Sequence, residues 1–218
     1  MNARLPPEQV RRFLELGAAT IYEAQGQRGA ICASIKPIDI SMSLAGPALT
    51  VECGPADNLM LHAALSHARP GDILVADARG FTDAGAWGDI LTTAAQKVGV
   101  AGLVINGAVR DAAAIVTMGF PVFAKGLSIR GTSKLYKGSI GESVDIAGTI
   151  VNNGDIIVGD RDGLEVIAAD KLEESLSLAE SRDRKEAGFR EKISEGVSTV
   201  ELLGLSDILT AYFPVERR

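Results

Sequence analysis

Short apolar runs and helical patterns alternate along residues 46–119, and this alternation restricts the fold more than any other feature of the sequence. Each apolar run is six to eight residues long, which suits a buried strand and is too short for a membrane span. A helical pattern follows each run, and this β-α-β-α order predicts an α/β fold with helices packed on a parallel or mixed sheet. The predicted strands are 46–53, 71–78 and 101–106, and the predicted helices are 56–68, 87–99 and 111–119.

The segments outside this core are expected to add an N-terminal helix, several hairpins and a helical C-terminal region. Residues 6–25 begin with two prolines and carry apolar residues at helical spacing, which predicts one amphipathic helix. After Gly119, short β-type runs alternate with Gly, Asn and Asp, and this pattern favours hairpins. Residues 170–196 are typical of a charged, solvated helix, and residues 199–213 of a small terminal helix. No linker or repeat is visible, so residues 1–218 are predicted to form a single domain.

The composition argues against several classes of partner. The formal net charge is −6 and no basic run occurs, so direct binding to nucleic acid is not expected. The two cysteines, Cys32 and Cys53, are too far apart for a C-x-x-C motif and are typical of small buried residues in a reducing compartment. The sequence has no run that could span a membrane and begins without an apolar secretory region, which predicts a soluble, cytoplasmic protein.

Several common catalytic motifs are missing. No two of the 24 glycines lie two positions apart, so the G-x-G-x-x-G fingerprint of dinucleotide-binding proteins does not occur. Gly126 and Gly131 have the spacing of a phosphate loop, but Thr132 stands where that loop needs a lysine. His62 and His67 are five residues apart and cannot share a helix face as the histidines of a zinc protease do. Nucleotide, zinc and redox-thiol chemistry are therefore not expected, and His62 is given no role.

One charge cluster remains, with the spacing D-x20-R-D. Asp89 begins a predicted helix, and Arg110 and Asp111 follow the predicted strand 101–106. Because the ends of successive strands in an α/β sheet converge on one crevice, we expect these three side chains to lie together. Two carboxylates and a guanidinium beside two helix N-termini suit a hard cation and an anionic ligand. The alternative is structural, with Asp89 as an N-cap and Arg110–Asp111 as an ordinary ion pair.

From about Gly46 to Gly196 the chain resembles the 4-hydroxy-4-methyl-2-oxoglutarate / 4-carboxy-4-hydroxy-2-oxoadipate aldolases, which belong with the RraA-like regulators of ribonuclease E activity. The resemblance rests on seven stretches in order: ADNLMLHAAL, RPGDILVADARG, WGDILTTAA, GLVINGAVRD, GFPVFAKG, RGTSK and NGDIIVGDRDGLEVI. It implies a swivelling β/β/α-type single domain with a mixed sheet, flanking helices and a C-terminal helix. It also implies homotrimers or dimers of trimers with the site at a subunit interface.

The same resemblance implies a divalent cation, Mg²⁺ or Mn²⁺, and no nucleotide, pyridoxal phosphate or zinc. Asp111 matches the direct metal ligand, and Asp89 matches the residue that holds a metal-bound water. Glu186 matches an acid that a neighbouring subunit contributes to the metal's water shell. Without the resemblance, Glu186 would be one charge among many on a solvated helix.

The resemblance also assigns the groups that bind substrate. Arg110 matches the residue that grips the pyruvyl carboxylate or keto oxygen, and the helix start at Gly88, Ile90 and Leu91 is expected to cradle the carboxylate through backbone amides. Lys134 matches a substrate-facing lysine, although a lysine in a Gly/Ser-rich loop is by default solvated.

Two departures bear on the substrate more than on the fold. Asn106 stands where many of these aldolases have Asp, and GSIGESV replaces the usual Gly-Ser-Ile-Asn-x-Pro.

The resemblance implies a metal-dependent (class II) pyruvate aldolase that cleaves 4-hydroxy-2-oxo acids, and we expect it also to decarboxylate oxaloacetate. Both reactions pass through a pyruvate enolate, whose negative charge a divalent cation and Arg110 would stabilise. A rival mechanism uses a Schiff base on Lys134, which requires a lysine of depressed pKa in a dry pocket. A rival function is that of a non-catalytic protein that binds ribonuclease E, since an acidic surface can bind an Arg-rich partner.

Overall fold

The computed structural model describes residues 5–213 of the chain. The chain divides into two compact units, Met1–Ala179 and Glu180–Arg218. The first contains all of the described strands, and the described part of the second is helical. That residues 1–218 form a single domain stays a prediction. No helix within residues 5–213 combines the length and apolar character needed to cross a bilayer.

Seven of the strands between residues 5 and 213 form one mixed sheet, in the order β1-β5-β4-β3-β2-β8-β9. The four central strands, β5-β4-β3-β2, are parallel, whereas β1, β8 and β9 are antiparallel to their neighbours. Strands β6 and β7 form a separate hairpin. The strands are β1 (Lys36–Pro37), β2 (Leu44–Glu52), β3 (Ile73–Trp87), β4 (Gly102–Val109), β5 (Val122–Leu127), β6 (Val144–Ile146), β7 (Thr149–Val151), β8 (Ile156–Gly159) and β9 (Leu164–Ile167).

Helices follow the parallel strands and also lie at both ends of the described chain. Two apolar clusters hold the first unit together: α3, α4 and α5 pack on the central strands, and α1 and α2 pack near β8 and β9. The predicted α/β class, with a mixed sheet, flanking helices and a C-terminal helix, is confirmed. The helices are α1 (Pro7–Leu16), α2 (Ala18–Ala24), α3 (Leu59–Leu65), α4 (Asp89–Val98), α5 (Ala112–Thr117), α6 (Leu172–Ser194), α7 (Thr199–Leu202) and α8 (Ser206–Tyr212).

The single helix predicted for residues 6–25 is wrong, because the chain breaks at Gly17. Its φ is +77°, a conformation that glycine adopts without the strain a side chain would bring. The Gly17 N–H closes α1 on the Phe13 carbonyl, and the next N–H, of Ala18, donates to Asp160 Oδ2 at 2.8 Å. A carboxylate from the β8–β9 turn thus satisfies an orphan donor at the start of α2.

Two further predictions need correction. The stretch after Gly119 does not begin with a hairpin, since β5 runs parallel to β4 after the short helix α5. The later β6–β7 and β8–β9 pairs are the predicted hairpins. The small terminal helix predicted for residues 199–213 is divided into α7 and α8, with Gly204 between them at φ +65°.

The strand β3 is much longer than the eight residues predicted for it. Fifteen residues belong to β3, and its pairing with β4 shifts register three times between Asp77 and Trp87. Such bulges twist a strand and change the direction in which its end points. The irregular half of β3 is the half that leads into α4 and the charge cluster.

Candidate active site

The strands β3 and β4 end side by side, and the charge cluster begins at their ends. Trp87, the last residue of β3, pairs with Val109, the last residue of β4. The Arg110 N–H donates to the Trp87 carbonyl oxygen at 2.8 Å, and this hydrogen bond joins the ends of β3 and β4. Asp89 opens α4 two residues after Trp87, and Asp111 precedes α5. The predicted convergence of Asp89, Arg110 and Asp111 is thus what the sheet produces.

The side chain of Trp87 anchors this junction from below. The indole is fully buried, and its Nε1–H donates to Thr92 Oγ1 at 2.7 Å. The Thr92 hydroxyl in turn donates to the Gly88 carbonyl oxygen at 3.0 Å. Buried polar groups that are fully hydrogen-bonded make a junction rigid, so Gly88 and the start of α4 are held in place from the core.

Gly88 lets Asp111 and Arg110 approach the start of α4. A Cβ at position 88 would lie 2.5 Å from Asp111 Oδ2 and 3.2 Å from Arg110 Cγ, too close for any other residue without displacing those side chains. Asp111 Oδ2 accepts from the Asp89 N–H at 3.4 Å and lies 3.4 Å from Arg110 Nε. The Asp111 carboxylate therefore contacts both the N-terminus of α4 and the guanidinium of Arg110.

Neither aspartate serves mainly as an ordinary helix cap. The N-cap of α4 is Gly88, and Asp89 is the first helical residue, with Oδ1 accepting from the Ile90 N–H at 2.7 Å. Asp111 holds a left-handed conformation, φ +57°, and its side chain makes no capping bond to α5. A non-glycine residue in this conformation is strained, and such strain concentrates at functional positions. The Arg110 and Asp111 side chains are 45% and 39% exposed, so their ion pair contributes only about 0–1 kcal/mol to stability.

A cavity of about 180 Å³ opens over this junction. The cavity brings together six of the residues singled out from the sequence, and Asp111 lines an adjoining cavity of about 410 Å³ with Arg110. Glu186 lies in the second unit, where it forms ion pairs with Arg182 at 2.9 Å and Arg190 at 3.7 Å on the same helix. Its role at a neighbouring subunit's site stays a prediction. The predicted residues that line the smaller cavity are Gly88, Asp89, Ile90, Leu91, Arg110 and Lys134.

Two residues of the cavity wall, Asn58 and His62, were not assigned to a site from the sequence. Asn58 is 8% exposed, and its Nδ2 donates to the Ala86 carbonyl oxygen at 3.1 Å while its Oδ1 has no partner. An unpaired buried acceptor beside a cavity is a group that a ligand can satisfy. His62 lies one helical turn further on in α3, and its N–H donates to the Asn58 carbonyl. In the sequence, the only sign of this pair is its Asn-x3-His spacing, which places both residues on one face of a helix.

Asp57 organises the wall that carries Lys134. Its Oδ2 accepts from the Ser133 hydroxyl at 2.5 Å and from the Leu135 N–H at 2.6 Å, on either side of Lys134. Burial by itself would raise the pKa of the Asp57 carboxyl, but the hydrogen bonds from Ser133 and from backbone N–H groups lower that pKa to about 2. Asp57 therefore stays ionised at neutral pH and fixes the loop against the start of α3.

The donor set suits a cation that keeps most of its water. Among residues 5–213, no group of three His, Cys, Asp or Glu side chains is arranged to hold a metal ion. Mg²⁺ dehydrates reluctantly and is commonly held by one or two carboxylates, with waters and substrate oxygens completing the shell. Asp111, with Asp89 beside it, fits that requirement, whereas a dry site built only from protein ligands does not fit. The residues thus agree with a hydrated Mg²⁺ or Mn²⁺.

Comparison with known proteins places these residues in a family context. A family model described as "RraA-like: Aldolase/RraA" matches residues 18–166, which include the whole cavity wall. A protein of Halalkalibacterium halodurans named "Putative 4-hydroxy-4-methyl-2-oxoglutarate aldolase" is 31% identical to this chain over 191 residues. That match covers 88% of this chain and 91% of the relative.

Two solved structures share the fold. The crystal structure of Streptomyces coelicolor RraAS2, described as an unusual member of the RNase ES inhibitor RraA protein family, has a TM-score of 0.76 and 28% identity. It covers 86% of this chain and 98% of its own. An uncharacterized protein from Pseudomonas syringae pv. tomato has a TM-score of 0.78 at 23% identity, with 90% of this chain and 96% of its own covered, and this likeness bears on the fold alone.

Proposed function

The chain belongs to the RraA-like family, and from that premise we propose that it is a divalent-metal-dependent aldolase that releases pyruvate from 4-hydroxy-2-oxo acids. Substrates of the 4-hydroxy-4-methyl-2-oxoglutarate or 4-carboxy-4-hydroxy-2-oxoadipate type are the ones we favour. The observation that carries the proposal is the cavity at the ends of β3 and β4. Asp89, Arg110 and Lys134 line this cavity, and Asp111 lines the adjoining one.

Two features of this cavity would bind the pyruvyl group, the guanidinium of Arg110 and the start of α4. Arg110 offers a planar fork of donors, which matches a carboxylate or a carboxylate with its adjacent keto oxygen. The start of α4, around Ile90 and Leu91, adds the partial positive charge of a helix N-terminus, and the Ile90 N–H also donates to Asp89 Oδ1. In this arrangement the pyruvyl group of the substrate is bound at its carboxylate and oriented with its keto oxygen toward Arg110.

Retro-aldol cleavage leaves an enolate, and positive charge near the former keto oxygen lowers the barrier. Arg110 supplies part of that charge. Asp111, with Asp89, would hold Mg²⁺ or Mn²⁺, which when bound supplies Lewis-acid stabilisation of the same charge. Asp89 orients the water that takes the proton from the substrate's C4 hydroxyl. Oxaloacetate decarboxylation produces the same enolate, so we propose it as a second activity of this site.

The geometry favours this mechanism over a Schiff base on Lys134. Lys134 is exposed, in a loop fixed by Asp57. A Schiff-base lysine needs a depressed pKa, and desolvation or a neighbouring cation brings that about. The exposed position of Lys134 lacks the dry surroundings that such a lysine needs, and it suits a side chain that attracts an anionic substrate. We therefore assign Lys134 to substrate binding.

We further propose that the chain acts as a homotrimer or a dimer of trimers. Large apolar side chains lie exposed beside the two cavities: Ile90, Leu127, Ile129 and Leu135 are each at least 60% exposed. Exposed apolar groups gathered around a cavity are typical of a surface that a partner subunit covers. In such an assembly Glu186 of a neighbouring subunit would complete the water shell of the metal.

A second candidate function is regulation of a ribonuclease by binding. The likeness to the solved RraAS2 structure, with 28% identity over 86% of this chain, supports it. Gly88, Arg110 and Asp111 pack closely beside a cavity, and this arrangement supports a small-molecule site more directly than a protein-binding surface. We therefore place the aldolase first of the two proposals.

The first experiment measures pyruvate release from 4-hydroxy-4-methyl-2-oxoglutarate and from oxaloacetate, with Mg²⁺ or Mn²⁺ and then with EDTA. Pyruvate release that stops with EDTA and returns with excess metal is the expected result. Turnover unaffected by EDTA, together with trapping of pyruvate on the protein by borohydride, would instead support the Schiff-base mechanism. No turnover on either substrate would favour the regulatory function.

A further inference from the structure

We propose that His62, together with Lys134, binds the second carboxylate of a dicarboxylic oxo acid and makes this site selective for dianionic substrates. The inference rests on the proposed function, because it assumes that Arg110 and the start of α4 bind the first carboxylate. It adds a residue that neither the motif pattern nor the family resemblance assigned. Four observations carry it: the position of His62, its unpaired imidazole, the charge around it and the size of the cavity.

His62 lies on the wall of the cavity that also contains Arg110 and Lys134. It is held there by α3, one turn after Asn58, and Asn58 is itself fixed to the Ala86 carbonyl by its amide. A side chain on a packed helix is positioned more rigidly than one on a loop, which suits a residue that determines specificity. The helix presents His62 toward the cavity and buries the neighbouring Leu61 in the core.

The imidazole of His62 has no hydrogen-bond partner among the described residues, in contrast to the other histidine of the chain. The Nδ1 of His67 lies 3.0 Å from the carbonyl oxygen of Ala63, one turn back on the same segment. His62 therefore has a donor free for a ligand whichever tautomer it adopts. Partial burial is the main cause that lowers the pKa of His62, and the nearby charge of Lys134 lowers it further.

The charges on the cavity wall favour an anion with two negative groups. Arg110 and Lys134 are cationic and His62 is a hydrogen-bond donor, whereas Asp89 is the one carboxylate on the wall of this cavity among the described residues. If Arg110 and the N-terminus of α4 bind the pyruvyl carboxylate, Lys134 and His62 are the donors left over. An exposed ammonium alone binds a carboxylate weakly, and a second donor adds both strength and direction. The volume, about 180 Å³, suits a small acid and not a nucleotide-sized ligand.

The test compares two ligands that differ in one group and cannot undergo aldol cleavage. 2-Oxoglutarate carries a second carboxylate, and 2-oxopentanoate carries a methyl group in its place. Binding of each is measured by titration calorimetry in the presence of Mg²⁺, with wild type, His62→Gln, His62→Lys and the matched control His67→Gln. We expect wild type and His67→Gln to bind 2-oxoglutarate at least about tenfold more tightly than 2-oxopentanoate.

His62→Gln is expected to reduce this preference by about fivefold to tenfold, with little change for 2-oxopentanoate, and His62→Lys is expected to restore it. The inference is overturned if His62→Gln weakens both ligands equally, or if the preference stays intact. The pyruvate-release assay separates this inference from the proposed function. A preference for the dianion that His62→Gln reduces, without any turnover, supports the role of His62 and contradicts the aldolase. Turnover without such a preference contradicts the role of His62 alone.

Discussion

Glu165 provides a sharp test of the packing of this fold, because it is a carboxyl group buried away from the proposed site. It lies on β9 and is 1% exposed. Its Oε1 accepts from the side-chain amide of Gln25, which in turn accepts from the Ser175 hydroxyl at 3.0 Å, while Oε2 is buried without a partner. Burial raises the pKa of Glu165 from 4.5 to about 8, and the bond from Gln25 opposes that shift only in part.

The size and sign of the effect follow from proton linkage. Below pH 4.5 the carboxyl is protonated in both the folded and the unfolded chain, so it adds no pH dependence. Between pH 4.5 and about 8 the unfolded chain releases the proton and the folded chain keeps it. The free energy of unfolding therefore falls by about 1.4 kcal/mol for each pH unit across this window, and the total cost levels off at about 5 kcal/mol above it.

Glu165→Gln keeps the shape of the neutral acid and removes the ionisation. We expect the wild type to lose roughly 2–3 kcal/mol more than this variant between about pH 6 and about pH 8. Urea unfolding at the two pH values, followed by the fluorescence of the single, fully buried Trp87, measures that difference. Glu142→Gln, which changes an exposed carboxyl, is the matched control and should follow the wild type. A stability difference between wild type and Glu165→Gln that does not change with pH would refute this reasoning.

Three further predictions address the site and its surroundings. Gly88→Ala should lower the rate of pyruvate release by about 100-fold with an unchanged circular dichroism spectrum, because the added methyl displaces the Asp111 carboxylate and leaves the core intact; full activity would contradict the close packing. Asp57→Asn should weaken binding of 2-oxoglutarate and lower the free energy of unfolding by about 1–3 kcal/mol, since the loop of Lys134 loses its charged acceptor. In native protein, a thiol reagent should label Cys32, which is exposed and not buried as predicted, and should not label Cys53, whose pKa burial raises to about 12. Equal labelling of both would show that Cys53 is accessible.

The meeting of Asp89 with Arg110 and Asp111 was predictable because it depends only on chain direction. Parallel strands deliver their carboxyl ends to one edge, and the apolar runs before each charged residue identify the strands. The backbone conformation of Asp111 and the close contact with Gly88 were not predictable. The residues around Asp111 in the sequence do not indicate a left-handed backbone. Only the register of β3 against β4 brings Gly88 into contact with the Arg110 and Asp111 side chains.

Residues whose partners are distant in sequence were missed for the same reason. In the sequence, Asp57 is only a residue near the start of the predicted helix 56–68, yet its partners Ser133 and Leu135 lie more than seventy residues away. The break at Gly17 depends on Asp160, which belongs to the opposite end of the first unit's sequence. Helical periodicity reports on one local segment, so it cannot reveal a contact that the sheet alone creates.

The most direct test of the account is whether the site forms the pyruvate enolate. Exchange of the methyl protons of pyruvate with D₂O, followed by NMR, detects the enolate whatever the physiological substrate is. We predict exchange by the wild type with Mg²⁺, loss of exchange with EDTA and in Asp111→Asn, and full exchange in Asp39→Asn, which alters a surface aspartate in a turn with Ser41. Exchange that survives in Asp111→Asn, or its absence from the wild type with either metal, would contradict the proposed function.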